Sequence, residues 1–161
     1  MRHPAILAPR LLVSMVIAVL LWLIVPAVGQ DRMVLGPRQF ETDKSGAGAV
    51  LCVWSIYLSI QTKTATCALP RRAVDDAIDQ LIVAIDEFII ANSSLHPTKA
   101  MLEEFKQRAA ASEARRIQQT GRDVCKSGDL ERFRSFTPEQ IQATAKSLLA
   151  VPREPVMNPC L

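Results

Sequence analysis

Residues 64–80 read TATCALPRRAVDDAIDQ, and this stretch decides how the whole chain is interpreted. Cys67 stands three residues before Pro70, where a long amphipathic pattern begins. The cysteine could be a reactive thiol, a metal ligand or one half of a disulfide, and each choice predicts a different class of protein. The other cysteines and the start of the chain decide between these interpretations.

Residues 1–29 have the order of features that is typical of a secretory signal peptide. Arg2 and Arg10 supply the positive start, an apolar run spans 11–25, and Ala27-Val28-Gly29 offers a small-residue cleavage site. The apolar run is shorter than the roughly 20 residues that a membrane-spanning helix needs. We therefore expect cleavage after residue 29, secretion, and no membrane association of the mature protein.

All four cysteines, Cys52, Cys67, Cys125 and Cys160, follow the predicted cleavage site. An even number of cysteines in an exported chain predicts two disulfide bonds. No two of them form a CxxC pair, and His96 is the only histidine after residue 29, so we expect no metal and no cofactor. A cysteine held in a disulfide is not a nucleophile, and Cys67 is therefore predicted to be structural.

The composition of the mature chain excludes some partners. Loss of Arg2 and Arg10 leaves seventeen of the nineteen basic residues against sixteen acidic ones, so the charge is almost balanced. Without a basic block we expect no nucleic-acid binding. The Ala- and Arg-rich composition favours a bacterium with a GC-rich genome, and hence the periplasm. Asn92-Ser93-Ser94 matches a glycosylation sequon, which matters only in a eukaryote.

The mature chain is predicted to be one domain of all-α class. Residues 30–48 are rich in Gly, Pro and charge and predict a flexible N-terminal arm, and 49–161 predict a single small, disulfide-stapled bundle of four to five helices. Residues 49–62, AVLCVWSIYLSIQT, are ambiguous between a helix and a strand. We favour a central helix, because no partner strand is evident elsewhere.

Three further helices have clear signals, with a short helical turn at 130–136 before the last of them. One starts near Pro70 and runs to about Ala91 with its acids on the solvent side, and one runs from Pro97 to Gly121. Thr137 to Gln140 form a capping box before the last helix. Three prolines then predict an extended C-terminal tail, residues 151–161.

Four cysteines allow three disulfide pairings. Two helices of similar length joined by a short turn form an antiparallel hairpin, which brings the start of the first beside the end of the second. This end-matching favours Cys67–Cys125 and leaves Cys52–Cys160. The sequential pairing, Cys52–Cys67 with Cys125–Cys160, stays open as the alternative.

No arrangement of residues predicts catalysis, so the chain is not expected to be an enzyme. His96 lies in a turn and is read as solvated, and the stretch SGAGA at 45–49 lacks the Lys-Ser/Thr ending of a phosphate loop. The acids Asp75, Asp76 and Asp79 are expected on a solvated helix face, where carboxylates do not form an acid–base pair.

Two binding functions remain as hypotheses. The first is a protein-interaction or structural module that binds another periplasmic protein, with Val83 and Ile90 as a possible docking patch on the acidic side of their helix. The second is a small carrier of apolar ligands, with a cavity lined by Trp54 and Tyr57. Neither the partner nor the oligomeric state can be read from the chain.

The order of several residues adds one resemblance. Cys52 lies inside an apolar helix, Cys67 precedes the helix that starts at Pro70, Pro97 starts the next helix, and Cys125 closes it. This order resembles the layout of small periplasmic immunity proteins that neutralise secreted cell-wall-degrading effectors. It covers about half of the chain and is a match of order, not of a motif. The resemblance implies a secreted effector as the partner.

Overall fold

The structure, a computed structural model, describes residues 33–160. The predicted signal peptide, residues 1–29, lies outside the described residues, as do 30–32 and Leu161. The described part forms five α-helices and no β-strand, with a short 3-10 helix, Arg122–Lys126, between the third and fourth. The α-helices are α1 (Val50–Thr66), α2 (Ala73–Asn92), α3 (Lys99–Thr120), α4 (Gly128–Arg134) and α5 (Pro138–Leu148). None of the described helices is long and apolar enough to cross a membrane.

Helix α1 is the central element, which settles the helix-or-strand ambiguity of residues 49–62. Because its apolar side chains cover most of its circumference, it must be packed on several sides. It contacts α2, α3 and α4. The helix runs past Thr62 to Thr66, and Cys67 caps its end. Its buried side chains are Val50, Leu51, Cys52, Trp54, Tyr57, Leu58, Ile60 and Thr64.

Helix α2 is the amphipathic helix that the opening stretch predicts, but it starts at Ala73 and not at Pro70. The start is fixed by Asp75, whose carboxylate accepts a hydrogen bond of 2.8 Å from the backbone N–H of Arg72. A carboxylate in the first turn also interacts favourably with the helix dipole. The predicted apolar stripe is buried: Val74, Ala77, Ile78, Leu81, Ile82, Ile85, Phe88 and Ile89.

Helix α3 returns antiparallel to α2 but packs mainly on α1. The N-terminal cap is Thr98, whose hydroxyl accepts a 3.2 Å hydrogen bond from the N–H of Met101. His96 lies exposed in the preceding turn with a left-handed φ of 46°. The carboxyl ends of α1 and α3 therefore lie at the same end of the bundle, where the Cys67–Cys125 disulfide joins them.

Helices α4 and α5 complete the core. The predicted capping box at the start of α5 is present: the N–H of Thr137 donates to Gln140 Oε1 at 2.8 Å, and the N–H of Gln140 donates to Thr137 Oγ1 at 3.3 Å. Helix α5 packs on α2, with Ile141 and Leu148 buried against it. The chain then continues without helix to Cys160.

Two disulfides join Cys52 to Cys160 and Cys67 to Cys125, with Cα–Cα distances of 5.2 and 5.7 Å. This is the pairing that end-matching of the helices favours. The second bond joins the carboxyl end of α1 to the 3-10 helix that follows α3. The first joins the amino-terminal turn of α1 to the end of the tail. The described chain has no free cysteine.

The prediction of a flexible arm is wrong for residues 33–48, because this segment is packed onto the domain. Leu35 and Gln39 are buried, and Thr42 forms a β-bridge with Asn158 of the tail. Asp43 Oδ1 accepts a 2.8 Å hydrogen bond from Arg153 Nε. The Gly- and Pro-rich composition suggested mobility, but the tail supplies hydrogen-bond partners that a reading of the arm alone does not show.

Thr64 carries the one buried side-chain polar atom for which we find no hydrogen-bond partner within residues 33–160. An unsatisfied buried hydroxyl costs about 1–3 kcal/mol. Thr64→Val keeps the shape and removes the hydroxyl, so we expect it to raise the free energy of unfolding by about 1 kcal/mol. Urea unfolding measures this. Thr64→Ser, which keeps the hydroxyl, should not stabilise, and stabilisation by both variants would contradict the explanation.

Candidate functional site

A cleft of about 200 Å³ lies between α1 and α3. Its floor is Trp54, whose ring stacks on Phe105 with centroids 5.5 Å apart and an interplanar angle of 18°. The cleft is open to solvent on one side. Its lining is mostly apolar and comprises Met33, Leu35, Gln39, Leu51, Trp54, Ser55, Leu58, Ser59, Gln61, Thr62, Phe105, Lys106, Ala109, Ala110, Glu113 and Met157.

The sequence of α3 explains why a cleft exists here. Phe105 fills the space beside Trp54, but the next turn presents only the methyl groups of Ala109 and Ala110. Beside Ser55 and Ser59 of α1 they leave a gap, because small residues face small residues across the interface.

A partly buried ionic cluster holds the floor of the cleft in place. Trp54 Nε1–H donates to Asp86 Oδ1 at 2.9 Å, and Lys106 Nζ donates to Asp86 Oδ2 at 2.6 Å. Lys106 also pairs with Glu103 Oε2 at 3.0 Å. Burial alone would lower the pKa of Lys106, but the hydrogen bonds to Asp86 and Glu103 outweigh it and raise the pKa above 10.5. The indole is thus fixed in one orientation by α2 and α3 together.

The rim of the cleft is also charge-balanced. Glu113 accepts hydrogen bonds from Arg116 at 2.8 Å, lies 4.0 Å from Lys63 Nζ, and accepts a 3.4 Å bond from the Ser59 hydroxyl. The bond from Arg116 is the largest cause of its lowered pKa. Three acids and three bases therefore surround the cleft, and each has a partner. Among residues 33–160, the charged side chains around the cleft are therefore all paired.

Of the two side chains predicted to line a cavity, only Trp54 does so. Tyr57 is buried away from the cleft and meets Phe133 edge-on, with centroids 6.0 Å apart. The two residues are three positions apart on α1, and Tyr57 is turned toward α4. This cleft is therefore lined by Trp54 and not by Tyr57.

The predicted docking patch of Val83 and Ile90 is not a single surface. Val83 is 54% exposed, but Ile90 is only partly exposed and packs against the core. The helical pattern placed both on the acidic side of α2. Of the two side chains, Val83 is therefore the more exposed on that side.

One wall of the cleft was missed by sequence reasoning. Met33, Leu35 and Gln39 come from the arm, and Met157 comes from the tail. The signal that could have found them is weak: an apolar triplet, Met33-Val34-Leu35, in an otherwise polar arm, and a cysteine that fixes the tail.

A second buried ionic pair lies at the start of α2. Arg134 donates to Asp75 through Nε at 3.1 Å and through Nη2 at 2.9 Å, and both side chains are almost fully buried. Asp75 was expected on a solvated face with Asp76 and Asp79, which is wrong for Asp75. Its burial depends on an arginine 59 residues further along the chain.

The carboxylates of Asp75 and Asp43 predict acid sensitivity. Burial raises the pKa of each, but hydrogen bonds, among them those from Arg134 to Asp75 and from Ser45 and Arg153 to Asp43, lower it below 3.8 on balance. A carboxylate whose pKa is lower in the folded than in the unfolded protein stabilises the fold at pH values above its unfolded-state pKa. This stabilisation is lost as the pH falls through the folded-state pKa. We expect the free energy of unfolding to decrease as the pH is lowered below about 4. Urea titrations from pH 7 to 2 test this, and Asp75→Asn should flatten the profile.

Residues 33–160 contain no group of three or more His, Cys, Asp or Glu side chains that could hold a metal ion. Within the same range, the four cysteines are all in disulfides. Comparisons with known protein families, curated proteins and solved structures found no match to this chain. Its function must therefore be argued from the cleft and its surroundings.

Proposed function

We propose that this chain is an exported protein-interaction module and that the Trp54 cleft receives one uncharged side chain of a partner protein. The observation that carries the proposal is the size and charge of the cleft. It is mostly apolar, it has a rigid aromatic floor, and the charges that the described part of the chain places around it are paired.

The size of the Trp54 cleft argues against its holding a large apolar ligand. Small-molecule sites usually enclose about 300–1,000 Å³, and this cleft has about 200 Å³. A cavity of about 150 Å³ holds a benzene molecule. The cleft therefore suits one aromatic or branched aliphatic side chain, which is the kind of anchor that dominates protein interfaces.

The lining suits such an anchor. Met33 and Met157 are flexible and polarisable, so they adapt to an inserted side chain. Trp54, by contrast, is held by Asp86 and offers a fixed surface for stacking. A rigid floor with adaptable walls lowers the entropy lost on binding without demanding one shape of partner.

The disulfides of the structure indicate an oxidising environment outside the cytosol. We propose the bacterial periplasm as that compartment, with residues 1–29 as a cleaved signal peptide. The partner implied by the resemblance to immunity proteins, a secreted cell-wall-degrading effector, stays a prediction within this proposal.

Two variants in which an alanine of α3 is replaced with tryptophan test the cleft. Ala110 lines it and Ala111, the next residue of α3, is exposed outside it. Ala110→Trp should fill the cleft, and Ala111→Trp is the matched control. A benzophenone amino acid at Ser55, on the rim, would be irradiated in cells that export the protein. We expect a protein adduct with the parent and with Ala111→Trp, and its loss with Ala110→Trp.

Two outcomes would contradict the proposal. An adduct that is equally strong in both variants would mean that the partner binds elsewhere. Loss of Trp54 fluorescence on addition of fatty acid, with no protein adduct, would support the carrier instead. Thermal unfolding of both variants is the control for folding, since Ala110 is only partly buried and Ala111 is exposed.

A further inference from the structure

The arm, residues 33–48, and the tail, residues 151–160, bind each other, and together we name them the clasp. The N–H of Met157 donates to the carbonyl of Gln39 at 2.6 Å, and the N–H of Asp43 donates to the carbonyl of Asn158 at 2.6 Å. The amide of Asn158 also donates to the carbonyl of Phe40 at 2.6 Å. An arm that lacks regular structure is thus ordered by a tail that also lacks it.

The clasp forms a wall of the Trp54 cleft. Arm residues Met33, Leu35 and Gln39 line it from one side, and tail residue Met157 lines it beside them. Leu35 is 3% exposed, so the wall is packed against the helices and is not a loose flap. Helices α1 and α3 form the rest of the cleft. Its shape therefore depends on whether the clasp is closed.

Hydrogen bonds and buried side chains hold the clasp to the rest of the domain, and Arg153 of the tail donates to the carbonyl of Leu148 at 3.0 Å. The carbonyl of Val156 accepts the N–H of Leu51 at 3.0 Å, and the carboxylate of Glu154 accepts the Ser94 hydroxyl at 3.0 Å. The Ser93 hydroxyl donates to the carbonyl of Leu35. Apart from the backbone that continues from the arm into α1 and from α5 into the tail, the covalent attachment of the clasp is the disulfide between Cys160 and Cys52 of α1.

We propose that the Cys52–Cys160 disulfide is a redox switch that closes the clasp over the Trp54 cleft, so that its reduction opens the cleft wall. The inference rests on the proposed function of the cleft as a binding site. The two cysteines of the bond differ in solvent exposure. Cys52 is 3% exposed, whereas Cys160, at the end of the tail, is exposed. A thiolate from outside can therefore reach the sulfur of Cys160.

The reductant is a dithiol, such as the active site of a thioredoxin-like protein. One of its thiolates attacks Cys160 Sγ, the S–S bond breaks, and Cys52 leaves as a thiolate that takes up a proton. The second thiol of the reductant then attacks the mixed disulfide, releasing Cys160 as a thiol and leaving the reductant as a disulfide. Two electrons pass from the dithiol to the protein.

The helical part should survive this reduction. The core of α1, α2, α3 and α5 does not depend on the tail for its helix-to-helix packing, and Cys67–Cys125 ties the ends of α1 and α3 independently. Opening should therefore be local to the clasp, because the contacts between the helices and the Cys67–Cys125 bond remain when the tail is released.

Stepwise reduction of the full exported protein tests the inference. Dithiothreitol is the dithiol probe, and trapping with iodoacetamide followed by peptide mapping identifies the first bond to open. We expect a species with Cys52 and Cys160 alkylated and Cys67–Cys125 intact. In that species, hydrogen exchange in the clasp should rise about tenfold or more, while α2 stays protected.

The variant Cys52→Ser/Cys160→Ser, without reductant, is the control for effects of the reagent. It should show the same clasp exchange and faster acrylamide quenching of Trp54. Simultaneous loss of both disulfides, or equal exchange in clasp and helices, would overturn the inference. If the variant does not fold, the trapped wild-type species still decides. None of these readouts needs a partner, so photocrosslinking at Ser55 can fail without affecting them.

Discussion

Replacing Arg134 with methionine is expected to lower the free energy of unfolding by about 3–5 kcal/mol. The Arg134 side chain is 2% exposed, and its guanidinium makes two hydrogen bonds to Asp75 and one to the carbonyl of Pro70. Without it, the carboxylate of Asp75 stays buried with only the N–H of Arg72 as a partner. The cost is that of an uncompensated buried charge. Equilibrium unfolding in urea measures it.

The chain offers a matched control two residues away. Arg132 is exposed on the same short helix, and Arg132→Met should change the free energy of unfolding by less than about 0.5 kcal/mol. A double variant, Asp75→Leu/Arg134→Met, removes both charges and should recover most of the loss, because apolar replacements of buried pairs are often neutral. An Arg134→Met protein as stable as the parent would show that the pair is hydrated in solution.

Removal of the Cys67–Cys125 disulfide is the second large effect. The two cysteines are 58 residues apart, and the loss of a loop of this size from the unfolded state is worth about 4 kcal/mol in the chain-entropy model. We expect Cys67→Ser/Cys125→Ser to lose that stability in urea and to fail to accumulate in an oxidising compartment. The melting temperature of the parent under strong reductant should fall as well.

A control separates the bond from the substitution. Alkylated, fully reduced parent protein should unfold at the same or lower urea concentration as the serine variant, since it lacks both disulfides. A parent whose melting temperature is unchanged by reduction would contradict the view that Cys67 is structural. It would also leave the helical core as the whole source of stability.

The sequence was a good guide to the helices and to the pairing of cysteines, and the reason is local. The apolar stripe of α2 depends on residues only three or four positions apart. The capping box of Thr137 and Gln140 likewise depends on residues three positions apart. Helix α1 was ambiguous because its apolar side chains have no clear period, and tertiary packing on three sides decided it. The end-matching of helices needs only their lengths, so it too could be made from the chain.

The site was harder to predict from the sequence, because it is built from residues far apart in the chain. Trp54 was identified, but its partners Asp86 and Lys106 lie 32 residues and more away. Burial of Asp75 and the docking of the arm have the same origin, since Arg134 and the tail supply what the local pattern lacks. A helical pattern indicates which face is polar, but it does not indicate which polar residue meets a distant partner.

The connectivity of the disulfides has a consequence for how the protein matures. The Cys67–Cys125 loop lies inside the Cys52–Cys160 loop, so the first cysteine pairs with the last. If the chain is exported amino terminus first, as proposed above, Cys52 emerges long before its partner, and an oxidase acting in order of emergence would join it to Cys67. Native pairing then requires either that the helices assemble before oxidation or that a disulfide isomerase exchanges the early, non-native bond.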